Sequence, residues 1–143
     1  MDCIFCNIVN GEEKAEILYE NNHTLAFLDI RPVNFGHTLV ITKKHFDNFL
    51  TVPEDQISHL IKTTQFLSGI VKRSMNADGF NIIANNGAAA GQTIYHFHFH
   101  IIPRFNNDFN FKPSFQIYQG GSMKEIADQI REVVNKYKGI SDG

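Results

Sequence analysis

Histidine alternates strictly with bulky apolar residues in segment 96–102, which reads HFHFHII. Successive side chains of a β-strand point to opposite faces, so this alternation predicts a strand with three imidazoles on one face and apolar side chains on the other. At about 3.3 Å of rise per residue, the three rings fall within roughly 13 Å of one another. Neutral imidazoles gain little from packing and repel one another when protonated. The pattern therefore favours a chemical role for His96, His98 and His100 over a packing role.

Four other segments have the alternation of strands, and two have the spacing of helices. The strands are predicted at residues 16–20, 24–28, 37–42 and 80–84, beside the one at 96–102. One helix is predicted from a Thr51–Glu54 capping pattern to Asn76, with an apolar face of Ile57, Leu60, Ile61, Thr64, Leu67 and Val71. A C-terminal helix is predicted at about 122–138. Because the connections are short, we expect antiparallel pairing: an α+β domain over residues 1–143, with a five-stranded sheet and two main helices.

The composition excludes several classes of function. A formal net charge of −2 argues against a general nucleic-acid surface, which would be basic. No apolar run reaches the length of a membrane span, so we expect no membrane association. The first residues lack the basic and apolar regions of a secretory signal, and the expected location is the cytoplasm. In that compartment the two cysteines are expected as thiols or metal ligands rather than as a disulfide.

A loop of small residues, NNGAAAGQT at 85–93, directly precedes the histidine strand. Such a loop can bring main-chain N–H groups close to an anion, although a plain turn would have the same composition. It lacks the Lys-Ser/Thr ending of a P-loop and leads into a strand instead of a helix. Beside three imidazoles, the loop is a candidate phosphate cradle.

With these motifs the sequence resembles the histidine-triad (HIT) family of nucleotide hydrolases and transferases, nearest its small phosphoramidase-like branch. The resemblance covers residues 2 to 105 in the family's order and includes segments 2–6, 25–30, 36–41, 43–45 and 91–93 as well as the histidine strand. It implies a HIT-like fold in which two five-stranded sheets join in a homodimer.

The resemblance also implies metal-free covalent catalysis at the α-phosphorus of a purine nucleotide conjugate, with adenosine or guanosine monophosphate as the nucleotide part. His98 is the implied nucleophile, which would need a neutral ring with an anchored Nδ1–H. The other implied catalytic residues are His37, His100, Gln92 and Thr93. The implied nucleotide-binding residues are Asp29 for the ribose, Asn85 for an oxygen of the phosphate or ribose, and Phe5, Ile8, Phe27 and Ile30 for the base.

Cys3 and Cys6 form a C-x2-C pair, which needs two more ligands to complete a tetrahedral zinc site. In the family that this chain resembles, the matching ligands are His45 and His96. Four protein ligands leave zinc no open position, so such an ion would be structural. A metal-free thiol pair and a redox C-x-x-C remain open at the level of sequence.

Three other functions remain open. A dinucleoside polyphosphate hydrolase of the same family would share the histidine signature and a following Pro-Arg pair, here Pro103-Arg104, and the chain lacks the tryptophan often found in the phosphoramidase-like branch. The three alternating histidines could instead ligate a catalytic metal, or the protein could be a nucleotide-binding scaffold without activity.

Residues 106–121, which include Phe109, Phe111 and Phe115, are expected to form an irregular cover near the site or the dimer interface.

Overall fold

The computed structural model describes residues 2–108 and 113–141, with side chains as far as Tyr137. It consists of two compact units, one within residues 1–110 and the other within residues 111–143. The first unit contains, in chain order, α1 (Ile4–Val9), β1 (Ile17–Glu20), β2 (Thr24–Leu28), β3 (Thr38–Thr42), α2 (Glu54–Ser74), β4 (Gly79–Ile83) and β5 (His98–Arg104). A short 3₁₀ turn at Ala88–Ala90 lies between β4 and β5.

The five strands form one sheet in the order β1-β2-β3-β5-β4, and every neighbouring pair is antiparallel. The predicted α+β class with a five-stranded antiparallel sheet is therefore confirmed. Strand β5 lies inside the sheet, where His98 pairs with Ile41 and His100 pairs with Leu39. The histidine strand is thus held on both sides by main-chain hydrogen bonds.

The two faces of the sheet bury two different clusters. One face packs Ala26, Val40 and Ile101 against the apolar residues of α2. The opposite face carries two rows of paired residues that run from β2 through β3 to a histidine of β5: Leu25, Ile41 and His98 in one, Phe27, Leu39 and His100 in the other. Helix α1 packs its Phe5 and Ile8 against these rows. The sequence period of two therefore separates a core face from the face that presents the imidazoles.

Helix α2 differs from its prediction at the start and on one face. Thr51 does not cap it, because its hydroxyl bonds to the main chain of Asn48, and the helix begins at Glu54 after Pro53. Leu60, Thr64, Leu67 and Val71 are buried as predicted, but Ile61 is 48% exposed. Its place on the buried side is taken by Gln56, Thr63 and Ser68.

Helix α1 was not predicted, because six residues are too few to show a helical period. Its N-cap is Cys3, whose sulfur accepts a hydrogen bond from the N–H of Cys6 at 3.4 Å. Cysteine is not among the usual N-cap residues, so the sequence gives no start signal there. The histidine strand also begins two residues later than predicted, at His98, because the N–H of Phe97 bonds to the carbonyl of Phe46 outside the sheet.

The second unit contains α3 (Ser122–Ser141), which begins where the sequence predicts and continues past residue 138. Its apolar stripe is exposed in the single chain and comprises Met123, Ile126, Ile130, Val133, Val134 and Tyr137. Residues 113–119 have no regular secondary structure, while Phe109 and Phe111 lie outside the described residues. Within the described ranges, no helix combines the length and the apolar character that a membrane span requires.

Candidate active site

A cavity of about 440 Å³ opens on the face of the sheet that carries the histidines. Its lining includes His98 and His100 from β5, Asp29 and Ile30 from the segment after β2, and Thr93. Four further lining residues are apolar members of α1 and the sheet: Phe5, Ile8, Phe27 and Leu39. Eight of the residues predicted to bind nucleotide or to catalyse therefore line a single cavity, and two of them are neighbouring imidazoles.

The His98 ring is held by its own strand. Its Nδ1 lies 2.7 Å from the carbonyl oxygen of His96, and only a protonated Nδ1 can donate to a carbonyl. In the neutral ring the lone pair is then on Nε2, on the opposite side of the imidazole. Burial lowers the pKa of His98, partly opposed by the hydrogen bond to His96 and by Asp29, so the ring is neutral near pH 7. Phe5 packs edge-on against it at 5.1 Å between ring centroids.

His37 and His100 form a second imidazole unit beside the first. Nε2 of His37 lies 2.9 Å from Nδ1 of His100 and 3.6 Å from a carboxylate oxygen of Asp29. Burial is the main cause that lowers both pKa values, that of His100 to about 4, so both rings are neutral near pH 7. His37 is buried and does not line the cavity. It therefore acts on the cavity through His100.

Asp29 is placed by a turn. One carboxylate oxygen accepts the N–H of Arg31 at 2.8 Å, and the other faces His37. The side chain keeps lone pairs toward the cavity, because each carboxylate oxygen can accept two hydrogen bonds. Ile30, also in this turn, lines the cavity and is 91% exposed in the single chain. The rest of the apolar wall, Phe5, Ile8 and Phe27, is buried and belongs equally to the core.

The small-residue loop is organised differently from an open phosphate cradle. Its main-chain N–H groups at Gly87, Ala90, Gly91 and Gln92 are already bonded inside the loop. The amide of Gln92 is buried, accepting from Gly87 and donating to the carbonyls of Asp47 and Ile94. Neither Gln92 nor Asn85 is among the residues that line the cavity, whereas Thr93 is. Gln92 thus braces the loop, and Thr93 is the residue of this segment that the structure brings to the cavity.

The four predicted metal ligands form a cluster. The sulfur and nitrogen atoms of Cys3, Cys6, His45 and His96 all lie within 4.8 Å of one another. Nδ1 of His96 is 3.5 Å from the Cys3 sulfur and 3.6 Å from the Cys6 sulfur, and Nδ1 of His45 is 3.4 Å from the Cys6 sulfur. Sulfur and nitrogen ligands of one tetrahedral zinc ion are about 3.6 Å apart, given bonds of about 2.3 and 2.0–2.1 Å. The donor set and its spacing therefore fit zinc.

The outer nitrogens of this cluster are also satisfied. Nε2 of His96 donates to the carbonyl of Thr42 at 2.7 Å, and Nε2 of His45 lies 2.9 Å from a carboxylate oxygen of Asp47. These contacts leave both Nδ1 lone pairs facing the sulfurs, as in metal sites where each ligating histidine donates its other ring N–H to a carboxylate or a carbonyl. Burial lowers the pKa of His96 to about 4 and raises the pKa of the Cys6 thiol to about 11.

Two of the open alternatives lose support from these positions. His96 faces the cysteines while His100 faces His37, and no candidate metal cluster among the described residues includes His98, so the three alternating histidines do not converge on one ion. Arg104 bonds to Asp108 and Asn81 and is not among the lining residues of the cavity. The Pro103-Arg104 pair is therefore part of the scaffold in this chain.

Comparison with known sequences gives one matching family model, described as the HIT domain, over residues 10–107. An uncharacterized HIT-like protein of Methanocaldococcus jannaschii is 43% identical over 137 residues, which cover 96% of this chain and 99% of that protein. The adenylylsulfatase HINT3 of Arabidopsis thaliana is 39% identical over 107 residues, which cover 75% of this chain and 54% of that protein.

Solved structures give the same relationship. A hypothetical histidine triad nucleotide-binding protein of Sulfolobus tokodaii superimposes with a TM-score of 0.72 at 40% identity, covering 95% of this chain and 94% of that one. A zinc-bound histidine triad family protein of Mycobacterium smegmatis superimposes with a TM-score of 0.73 at 38% identity, covering 84% of this chain and 85% of that one.

Proposed function

This chain belongs to the HIT domain family, and from that membership and the geometry of the cavity we propose that it hydrolyses nucleotide conjugates at the α-phosphorus. The substrate class is a purine nucleoside monophosphate joined to a leaving group, and the reaction proceeds through a nucleotidyl-histidine on His98. The apolar wall formed by Phe5, Ile8, Phe27 and Ile30 would take the base, and Asp29 the ribose hydroxyls.

The reaction has two displacements at phosphorus. In the first, the Nε2 lone pair of His98 forms a bond to the α-phosphorus, while the bond to the leaving group breaks and its electron pair departs with that group. In the second, the oxygen of water forms the new P–O bond and gives up a proton, the electron pair of the P–N bond returns to Nε2 of His98, and the nucleoside monophosphate is released. Over the two displacements, the proton lost by water balances the proton that the leaving group takes up. Neutral His98 returns to its starting state.

One observation carries this proposal: the hydrogen bond between Nδ1 of His98 and the carbonyl of His96. It fixes the proton on the nitrogen that faces the strand and therefore leaves a nucleophilic lone pair on Nε2 of a ring that lines the cavity. Burial lowers the pKa of this ring, which keeps it neutral and therefore nucleophilic at neutral pH.

The test is to incubate the protein with adenosine 5′-phosphoramidate, quench the reaction early and locate any adduct by mass. We expect one nucleotidyl group on His98. The variant His98→Ala should bind the nucleotide but lose turnover and adduct, while the matched surface variant His23→Ala should keep both. A nucleotidyl group on a different residue, or near wild-type turnover by His98→Ala, would refute the assignment. A protein that binds nucleotide without turnover or adduct would instead be the scaffold alternative.

The leaving group is proposed to be an amine, on the evidence of a neighbouring cavity of about 550 Å³. This second cavity shares Ile4, Glu13, Thr93 and Ile94 with the first, so a leaving group at the phosphorus could extend into it. Its described lining contains the carboxylates of Asp2, Glu13 and Asp47 and no lysine or arginine. Carboxylates attract an ammonium group and repel sulfate or a polyphosphate chain.

Relative turnover of three adenylyl substrates tests this preference. The substrates carry an amine bearing a cationic side chain, the sulfate that the name of the Arabidopsis thaliana relative indicates, and a second nucleotide joined through polyphosphate. We expect the amine to be preferred and the variant Glu13→Gln to reduce that preference, whereas the adjacent Glu12→Gln serves as the matched control. Preference for diadenosine polyphosphate would favour the dinucleoside polyphosphate hydrolase.

We further propose that Cys3, Cys6, His45 and His96 hold a structural zinc ion. The support is the fit of their spacing to a tetrahedral site and the zinc-bound relative from Mycobacterium smegmatis. Zinc supplies no chemistry to the reaction, because four protein ligands leave it no open position. It would link helix α1 to the segment before β5, and His96 would have no catalytic role.

A homodimer completes the proposal. Strand β4 is an edge of the sheet, and beside it a groove of about 500 Å³ is lined by Ile61, Phe80, Ile82 and Phe99. Phe80 is 39% and Ile82 47% exposed in the single chain. A second copy that pairs along β4 would cover these apolar side chains and the unpaired strand edge.

We propose the cytoplasm as the location, in keeping with two free cysteines.

A further inference from the structure

A main-chain amide defines the protonation of His37. The N–H of Val33 lies 3.0 Å from Nδ1 of His37. A main-chain N–H can only donate, so Nδ1 of His37 must present its lone pair. In the neutral ring, the proton is consequently on Nε2. A doubly protonated ring would place two N–H groups against each other, which disfavours the imidazolium independently of burial.

The tautomer of His37 in turn determines which nitrogen of His100 is protonated. With its proton on Nε2, His37 donates to Nδ1 of His100 across the 2.9 Å contact, so Nδ1 of His100 presents its lone pair. The carboxylate of Asp29, 3.6 Å from Nε2 of His37, also favours a proton at this position. In a neutral His100, the proton is therefore on Nε2.

Nε2 of His100 is the free end of this chain of bonds. It is a buried atom without a hydrogen-bond partner among the described residues, and its ring lines the cavity. A buried donor without a partner costs free energy on the order of 1–3 kcal/mol. Such a cost is reasonable where a ligand supplies the acceptor, and here the cavity also contains the ring of His98.

We infer that the main-chain amide of Val33, acting through His37, fixes the proton of His100 on Nε2, so that His100 presents a permanent hydrogen-bond donor to the substrate and is not a net source of protons. The role toward the substrate rests on the proposed function, whereas the proton positions do not depend on it. The acceptor would be an oxygen of the phosphoryl group, whose charge this donor stabilises during both displacements.

The balance of protons shows why His37 and His100 together cannot act as a general acid. If His100 gave up its Nε2 proton, it would become anionic unless Nδ1 took the proton of His37. His37 would then be anionic in turn, and the amide of Val33 does not release its proton at any ordinary pH. The proton that an amine leaving group needs must therefore come from a source other than this pair of histidines.

The direct test is nitrogen NMR of the uniformly ¹⁵N-labelled full-length protein at neutral pH without substrate. Long-range proton–nitrogen spectra distinguish protonated from bare ring nitrogens. We expect protonated Nε2 and bare Nδ1 in both His37 and His100, and the reverse in His98. Nitrogen–nitrogen couplings across hydrogen bonds should link the Val33 amide to Nδ1 of His37, and Nε2 of His37 to Nδ1 of His100.

Two matched pairs of variants test the origin of the pattern. Val33→Pro removes the N–H and should abolish the first coupling and give His37 mixed tautomers, whereas Val33→Ala keeps the N–H and the wild-type spectrum. His37→Leu removes the donor and should give His100 mixed tautomers, whereas His37→Gln retains an amide donor and should restore protonated Nε2 on His100. The second pair applies even if Val33→Pro does not fold, and the wild-type spectrum requires no variant.

A bare Nε2 on His100 in the wild type would overturn the inference, and so would an unchanged His100 spectrum in folded His37→Leu. Because the spectra are recorded without substrate, they are independent of turnover. The expected tautomers in a protein that forms no adduct would refute the proposed function alone. Turnover through His98 combined with a bare Nε2 on His100 would refute this inference alone.

Discussion

Stability in mild acid should depend on His100. The pKa of this imidazole is about 4 in the folded protein, mainly because of burial and also because of the neighbouring rings of His98 and His37, against 6.5 as the ordinary value. The folded chain therefore binds fewer protons than the unfolded chain between these two pH values. The contribution of His100 to stability is complete above pH 6.5, is lost progressively as the pH falls, and is fully lost below about pH 4.

The size of the effect follows from the free energy of protonation. Each pH unit in this window costs about 1.36 kcal/mol for a histidine that must stay neutral. Between pH 6.5 and pH 5 the loss from His100 alone is therefore about 2 kcal/mol, a large share of the 5–15 kcal/mol typical of a folded domain.

Urea unfolding of the wild type and of His100→Gln at pH 7 and pH 5 measures this contribution. Carboxylates and the other histidines titrate in both proteins, so their effects largely cancel when the two pH-dependent losses are compared. We expect the wild type to lose about 2 kcal/mol more than the variant between the two pH values. An equal loss in both proteins would show that His100 is not held neutral by the fold, and the physical basis of the site would be wrong.

Further predictions concern the rate, the ribose, the metal and the fold. Because burial lowers the pKa of His98, the acid limb of the pH–rate profile should have its midpoint below pH 6.5. Asp29→Asn should raise KM for a ribonucleotide conjugate about ten-fold or more and leave KM for the 2′,3′-dideoxy analogue nearly unchanged. His45→Asn should abolish the bound zinc measured by atomic absorption, whereas zinc retained at one equivalent would exclude His45 as a ligand. Gly36→Ala should lower the melting temperature more than Gly11→Ala, although both glycines have a positive φ. The new Cβ at residue 36 would lie 2.6 Å from Cγ of Met75, whereas a Cβ at residue 11 would have no atom within 4 Å.

The sequence predicts those parts of the molecule in which a regular period or a fixed spacing records the structure. Alternation in segment 96–102 places His98 and His100 on one face because a strand has a period of two. The four candidate zinc ligands come together in the structure as the resemblance implied. The predicted roles of Thr93, Asp29 and His98 remain predictions, although the structure brings all three residues to one cavity.

The remaining features depend on interactions that residue types do not encode. The amide of Gln92 can bond to a phosphate or to main-chain groups, and only the folded loop shows that it bonds to the main chain. Val33 was not predicted as part of the site because its contribution is a main-chain N–H, which every residue but proline possesses. Val33 follows Pro32 and precedes His37 by four residues, but this spacing indicates a hydrogen bond only when the orientation of the His37 ring is known.

His96 connects the two halves of the site although its ring points away from the cavity. Its side chain lies among the thiols of Cys3 and Cys6, and its carbonyl accepts the Nδ1–H of His98. Anything that fixes the ring of His96 also fixes the carbonyl that orients the nucleophile, because both belong to one residue with 0% exposure. With the tautomers inferred above, Nε2 bears a lone pair in His98 and a proton in His100, two residues that line the same cavity. That pairing suits a reaction in which one nitrogen must bond to phosphorus while the other stabilises its oxygens.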